Sequence, residues 1–231
     1  MIKNLIISGD SFSYDGIGGC PPTSTTMGGC SYIADPSYQA SEPNAWVGFL
    51  AKKLSVQSLV NTATAAHGNI LISYTIFELL KKFNYHRDDT LIIFNLTEPS
   101  RLDIPCEFAD KNAHSWILWD KDILSHSYQK TVINTTDAIE KYTSESIRFL
   151  MEYLKLSDFK FYFLMMNDYR NHLYLGPIIN DFKEHLIELD PGPSMLEFAI
   201  STKNTVSDQD LHPNKIAHEM IANIVYDKIF K

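Results

Sequence analysis

Short apolar runs alternate along the chain with stretches whose apolar residues recur every three to four positions. Asn4-Leu5-Ile6-Ile7-Ser8 is brief, rich in branched residues and closed by Gly9, the pattern of a buried strand that ends in a sharp turn. Residues 44–54 place Trp46, Val47, Leu50 and Leu54 at helical spacing, and Ser58-Leu59-Val60-Asn61 predicts the second strand. A helix follows Gly68, with Ile70, Ile72, Ile76, Leu79 and Leu80 at helical spacing. Thr90-Leu91-Ile92-Ile93-Phe94-Asn95 is a continuous apolar run suited to the middle of a parallel sheet.

A long helix is predicted from about residue 136 to 156, with Ile139, Tyr142, Ile147, Leu150, Met151 and Leu154 on one face. Phe159 to Met166 is the fourth strand, and a further helix is expected near residues 178–187. Met195 to Ile200 reads equally as a short last strand or as a helical turn. A closing helix opens at Pro213, whose fixed φ suits the first helical position, and buries Ile216, Met220, Ile224, Val225 and Ile229. Alternation of this kind predicts an α/β fold of three layers, with a doubly wound, mainly parallel sheet and right-handed crossovers.

Two stretches break the alternation. Residues 14–43 carry Gly16, Gly18, Gly19, Pro21, Pro22, Gly28, Gly29, Pro36 and Pro43 with no periodicity, which predicts a lid or a substrate-binding wall, or else a surface insertion. Residues 102–136 read as an irregular insertion, so that the whole connection 97–136 forms a second long loop on a single domain spanning 1–231. Its Trp116 and Trp119 suit an apolar or sugar-ring substrate beside a pocket, or simply cover a sheet edge.

The 231 residues are enough for one buried core. A formal charge of −8 without a basic cluster argues against nucleic acid as a partner. No stretch reaches the ~20 apolar residues of a membrane span. Met1-Ile2-Lys3 leads into only a few apolar residues, so no signal peptide is expected, and the expected location is cytoplasmic. The three cysteines, Cys20, Cys30 and Cys106, cannot all pair and lack metal or redox spacing; reduced thiols are expected, with a Cys20–Cys30 bridge as the alternative. Neither cofactor nor metal is expected, since His86, His114, His126, His172 and His185 show no ligand spacing. His67 reads as a loop residue, and His218 as a packed or capping one. Asn134-Thr135-Thr136 matches a glycosylation acceptor, which carries little weight without a secretory route.

Candidate chemistry lies at the two ends of the chain. Ser11, in Gly9-Asp10-Ser11-Phe12-Ser13, stands at the carboxyl end of the first strand, the edge at which open α/β sheets bind ligands. Gly, Asp and Ser are also ordinary turn residues, so this stretch alone reads equally as a plain turn. Near the other end, Ser207-Asp208-Gln209-Asp210-Leu211-His212-Pro213-Asn214 precedes the closing helix. A serine hydroxyl becomes a nucleophile when an imidazole takes its proton, and the imidazole needs a carboxylate to fix its tautomer. Together, Gly-Asp-Ser after the first strand and Asp-x-His-Pro before the last helix resemble the SGNH (GDSL-type) hydrolase family over nearly the whole chain.

The resemblance implies a flavodoxin-like sheet and an esterase acting on a carboxylic ester or O-acetyl group of a small molecule or glycan, through an acyl-enzyme on Ser11 with His212 as base. The family's Asp-x-x-His position holds Gln209 here, so Asp210, two residues before His212, is the first choice for the acid that orients His212, with Asp208 the second. The oxyanion would be met by the backbone N–H groups of Ser11 and Gly68; a glycine also lets the backbone approach the oxyanion unhindered. The family's Gly-x-Asn-Asp after the third strand is missing. Asn95-Leu96-Thr97-Glu98 stands there, leaving Thr97 as the oxyanion donor and Asn95 as the second candidate. Arg101, on the same loop, is a substrate-binding candidate able to clamp a carboxylate or phosphate, or it pairs with Glu98 or Asp103. An acyltransferase using the same serine, or a weakly catalytic binding module, are the alternative readings.

Overall fold

The computed structural model describes residues 1–13, 45–63, 67–107, 114–119 and 136–230, with 102–107, 114–119 and 136 described through their backbone alone. Residues 14–44, which include the first predicted loop with Cys20 and Cys30, lie outside the described part.

Four apolar runs pair as one parallel sheet in the order β2-β1-β3-β6, where β1 is Asn4–Ser8, β2 Ser58–Asn61, β3 Thr90–Leu96 and β6 Lys160–Met165. Register runs from Asn4 opposite both Ser58 and Thr90, and from Leu91 opposite Lys160. Every residue of β3 is buried, as a run covered on both faces must be. The helices are α1 (Trp46–Leu54), α2 (Asn69–Lys82), α3 (Thr136–Leu156), α4 (Leu175–Asp181), α5 (Met195–Ser201) and α6 (Lys215–Phe230). α1 packs on α6 and α2 on α3. The chain winds from β1 to β2 on one side and to β3 on the other, so the order reverses at β1. Right-handed crossovers then set α1 and α2 on opposite faces, giving the three layers expected. Beyond β6 the sheet continues as a single parallel bridge between Phe163 and Leu186, with Ile187 N–H donating to the Phe163 carbonyl at 2.9 Å.

Two expectations need correction, and the choice left open for Met195 to Ile200 closes on the helix. The insertion after β3 contains an antiparallel hairpin of β4 (Leu102–Glu107) and β5 (His114–Trp119), with Leu102 opposite Trp119 and Glu107 opposite His114. Both strands of a two-stranded sheet are edges, which is why Pro105 is tolerated in one of them. Met195–Ser201 is a helix: Ser194 caps it, its Oγ accepting from Glu197 N–H at 3.3 Å and donating to the Glu197 carboxylate at 2.9 Å. That is a Ser-x-x-Glu start signal. In α6 the cap is Asn214, whose Oδ1 accepts from Ile216 and Ala217 N–H at 3.0 and 3.1 Å, so the helix opens after Pro213, and its buried face also differs from the one expected. Ala217, Ile221 and Ala222 join Val225 and Ile229 inside, while Ile216 and Met220 face solvent. Small alanines let α6 approach α1 closely. On α3, Tyr142 is likewise exposed, whereas Ile147, Leu150, Met151 and Leu154 are fully buried. The helix near 178–187 is α4 followed by a 3₁₀ turn at Lys183–His185.

Candidate active site

At the carboxyl end of β1, at the reversal of strand order, the chain turns through Gly9 to Ser13. Asp10 organises the turn: its carbonyl accepts from Ser13 N–H and its Oδ1 from Phe12 N–H, each at 3.0 Å. The carboxylate is fully buried and also accepts from Asn95 Nδ2 at 2.9 Å and Arg101 Nη1 at 3.1 Å. Burial pushes the Asp10 carboxyl above its ordinary range, and those donors pull it back. Ser13 Oγ donates to Asn95 Oδ1 at 2.6 Å and accepts from Trp46 Nε1 at 3.1 Å, while Asn61 Nδ2 donates to the Ser13 carbonyl at 3.1 Å. With the Asp10 carboxylate accepting from Phe12 N–H and anchored to β3, Ser11 is left at the surface of the turn.

The opposing loop is folded on itself. Thr205 bridges Pro213, Val206 N–H donates to the His212 carbonyl at 2.9 Å, and Ser207 Oγ accepts from Asp210 N–H at 3.0 Å. It delivers His212 Nε2 to within 2.8 Å of Ser11 Oγ. On the other side of the ring, Nδ1 lies 2.6 Å from Asp210 Oδ1, which also accepts from His212 N–H at 3.1 Å. These two bonds hold the Asp210 carboxyl below its usual range. An ionised carboxylate only accepts, so Asp210 fixes the Nδ1–H tautomer and leaves Nε2 to accept from the serine hydroxyl. The Phe12 ring lies against the imidazole, centroids 4.6 Å apart and planes 31° apart.

The three residues therefore converge across 201 positions of sequence, and Asp210 rather than Asp208 is the carboxylate on the imidazole. The cleft in front of Ser11 measures about 530 Å³; Phe12, Met166 and Leu196 give it apolar walls, and Arg101, Asn167 and the 209–212 loop give it polar ones.

Of the other expected site residues, Thr97 and Asn95 do not line the cleft, and Arg101 does. Thr97 is fully buried and clipped to the start of α2: its N–H donates to Asn69 Oδ1 at 3.0 Å, and its carbonyl accepts from Asn69 Nδ2 at 3.1 Å. Its hydroxyl lies 3.5 Å from the same Asn69 oxygen, away from the cleft. Asn95 is fully buried, bonded to Asp10 and Ser13, and does not line the cleft. Arg101 does line the cleft, but its partner is Asp10 and not Glu98. Gly68 is the extended N-cap of α2. Among the described residues no group of three His, Cys, Asp or Glu side chains is placed to hold a metal ion, and no helix is long and apolar enough to cross a membrane.

Two histidines outside the site are buried, His67 and His218, and each has an Nδ1 without a partner among the described residues. Burial holds both rings neutral, down to a pKa of about 4 from 6.5; for His218 the nearby His212 adds to it. Below pH 6.5 the unfolded chain takes up protons that the folded chain refuses. Stability is therefore expected to fall as pH drops from about 6.5 to about 4, by up to ~1.4 kcal/mol per pH unit for each histidine. Asp10 works in the opposite direction, above pH 3.8. Urea midpoints measured across this window check it: His67→Gln and His218→Gln should each flatten the slope, and a wild-type midpoint that is constant from pH 7 to 5 contradicts it.

No protein-family model matches the sequence, and no curated protein matches it. In structure the chain is similar to TesA (TM-score 0.53, 14% identity, 98% of each chain). It is also similar to a variant of an acetyl xylan esterase from Geobacillus stearothermophilus (0.52, 9%, 99% of this chain and 94% of that one). A third likeness is to the psychrotrophic esterase EstA from Pseudoalteromonas sp. (0.50, 14%, 98% and 96%). At these identities the likeness is one of fold.

Proposed function

From the SGNH (GDSL-type) hydrolase fold, which this chain has in a divergent form, we propose that the protein is a serine hydrolase that cleaves a carboxylic ester or O-acetyl group. The unbroken line from Ser11 Oγ through His212 to Asp210, at 2.8 and 2.6 Å, carries this reading. As Ser11 Oγ attacks the carbonyl carbon, its proton passes to His212 Nε2 and the carbonyl π pair becomes an oxyanion. Collapse expels the alcohol, which takes the proton from Nε2, and leaves Ser11 acylated. Water then attacks the acyl-enzyme, gives its proton to the same nitrogen and frees the acid. Asp210 keeps the ring in the working tautomer and steadies its transient charge. Ser11 N–H, which makes no hydrogen bond among the described residues, faces the oxyanion. Met166 and Leu196 give an acyl chain an apolar wall to lie against.

Turnover of a short p-nitrophenyl ester, with fluorophosphonate labelling mapped to Ser11, tests the reading; absence of both refutes it. The carboxylates give a finer test. Asp210→Asn reverses the donor–acceptor match at Nδ1 and is expected to lower kcat, by up to about 10⁴-fold in a strong triad. Because Asp210 and His212 have about half their side-chain surface exposed (51% and 43%), water partly replaces the lost carboxylate and the drop should be smaller. Asp208→Asn should stay near wild type; a crippled Asp208→Asn with an active Asp210→Asn overturns the assignment.

A further inference from the structure

An oxyanion hole built on this site lacks the side-chain amide that the loop after β3 would supply, because Thr97 and Asn95 both bond within the protein. The same loop nevertheless reaches the cleft with another donor. Arg101 N–H closes a turn onto the Glu98 carbonyl at 3.0 Å, and Thr143 of α3 donates its hydroxyl to the Pro99 carbonyl, so the loop is pinned from two sides. From that turn Arg101 reaches the wall of the cleft shared with Ser11 and His212.

Its placement is fixed relative to the nucleophile. Nη1 donates at 3.1 Å to Oδ2 of Asp10, the residue immediately before Ser11, and that carboxylate is itself immobilised by Asn95 and Phe12 N–H. A guanidinium has five N–H donors in a rigid plane. Among the described residues Asp10 takes the only hydrogen bond that the Arg101 guanidinium makes, and the side chain is about three-quarters buried (26% exposed). Donors that are fixed, partly shielded from water and, among the described residues, unspent in the resting state are what stabilises a charge appearing only in the transition state.

Resting on the hydrolase reading above, we infer that Arg101 is the oxyanion donor of this site, in place of the absent asparagine amide. As the carbonyl π pair moves onto oxygen during attack by Ser11, a guanidinium N–H of Arg101 donates to the new anion alongside the backbone N–H of Ser11. When the intermediate collapses, the pair returns to the C=O bond and the guanidinium is released unchanged, without proton transfer. Asp10 acts through Arg101: it aims the fork and is a positioning residue.

The decisive comparison is Arg101→Met and Arg101→Lys against wild type on a short p-nitrophenyl ester, with the rate of fluorophosphonate labelling of Ser11 read in parallel. Losing one such donor typically costs on the order of 10²–10³ in rate, and that is the expected fall in kcat for Arg101→Met, with KM nearly constant. Lysine keeps a cation on Asp10 but loses the planar fork. A donor role therefore predicts a clear kcat loss in Arg101→Lys and slower labelling, whereas a role confined to holding Asp10 predicts a wild-type Arg101→Lys. Where Arg101→Met fails to fold, Arg101→Lys decides. A rise in KM at constant kcat overturns the inference in favour of a ground-state clamp, and unchanged kinetics overturn it outright. A wild type inert to both ester and fluorophosphonate has a different signature, and it removes the hydrolase reading and this inference together.

Discussion

Ser11→Ala is expected to abolish acyl turnover and leave the melting curve unchanged. The only side-chain hydrogen bond of Ser11 among the described residues is to His212 Nε2, and the residue is not packed in the core. The turn that presents it is held by Asp10, Phe12 and Ser13, none of which bonds the Ser11 hydroxyl. In a strong triad, removing the nucleophile costs on the order of 10⁶ in kcat, so residual hydrolysis should be close to background. Stability should shift by no more than about 0.5 kcal/mol, as for substitutions away from packed or buried polar groups. Ester turnover and thermal denaturation of the same two samples give both halves. Equal turnover in mutant and wild type removes Ser11 from the chemistry, and a collapsed melt shows that the hydroxyl serves the fold instead.

The second large effect is expected from one methyl group. A Cβ added at Gly9 would lie 1.7 Å from Asn95 Oδ1, 2.7 Å from its Cγ and 3.2 Å from Ser13 Cβ. Asn95 cannot step aside at little cost, because its amide nitrogen holds the buried Asp10 carboxylate and its oxygen takes the Ser13 hydroxyl. Gly9→Ala must break these bonds or displace β1 from β3. Leaving buried polar groups unsatisfied and crowding the strand together place the expected loss at about 4 kcal/mol or more. Against the roughly 5–15 kcal/mol that stabilise a typical domain, that is severe. Urea denaturation of Gly9→Ala, Asn95→Ala and the double mutant measures it. Contact between the two sites predicts that the double mutant loses less than the sum of the singles. A Gly9→Ala protein within about 1 kcal/mol of wild type would mean that Asn95 is not packed against this strand end.

The convergence of Ser11, His212 and Asp210 was legible because each half is local. Gly9 to Ser13 and Asp210 to His212 are short motifs whose chemistry follows from residue type, and only their meeting needed the fold. The sheet was legible for a similar reason: runs such as Leu91 to Phe94 are apolar throughout and bounded by polar residues. What stayed hidden depends on partners far away in sequence. Asn95 is the clearest case, since the sequence offered it as a free amide, whereas strand register aims it at Asp10, 85 positions away. The pairing of Arg101 with Asp10, 91 positions apart, was equally invisible, and nearby Glu98 and Asp103 were the natural guesses. Two further points have local signals. Ser194-Met195-Leu196-Glu197 announces a helix start and so favours the helical alternative for Met195 to Ile200, and Asn214 is a better start signal for α6 than Pro213. The hairpin after β3 was obscured by Pro105, which argues against a central strand but not against an edge.

Trp46 gives the turn that carries Ser11 an optical consequence. Its indole is wholly buried, and its N–H is bonded to the hydroxyl of Ser13, two residues beyond Ser11. Indole emission responds to the polarity and hydrogen bonding around that nitrogen, so a rearrangement of the turn on acylation would be written into the colour and intensity of Trp46 fluorescence. The only other tryptophans are Trp116 and Trp119 on the hairpin. With both replaced by phenylalanine, the protein carries a single tryptophan at the turn, and stopped-flow emission can time the arrival of an acyl group without any label.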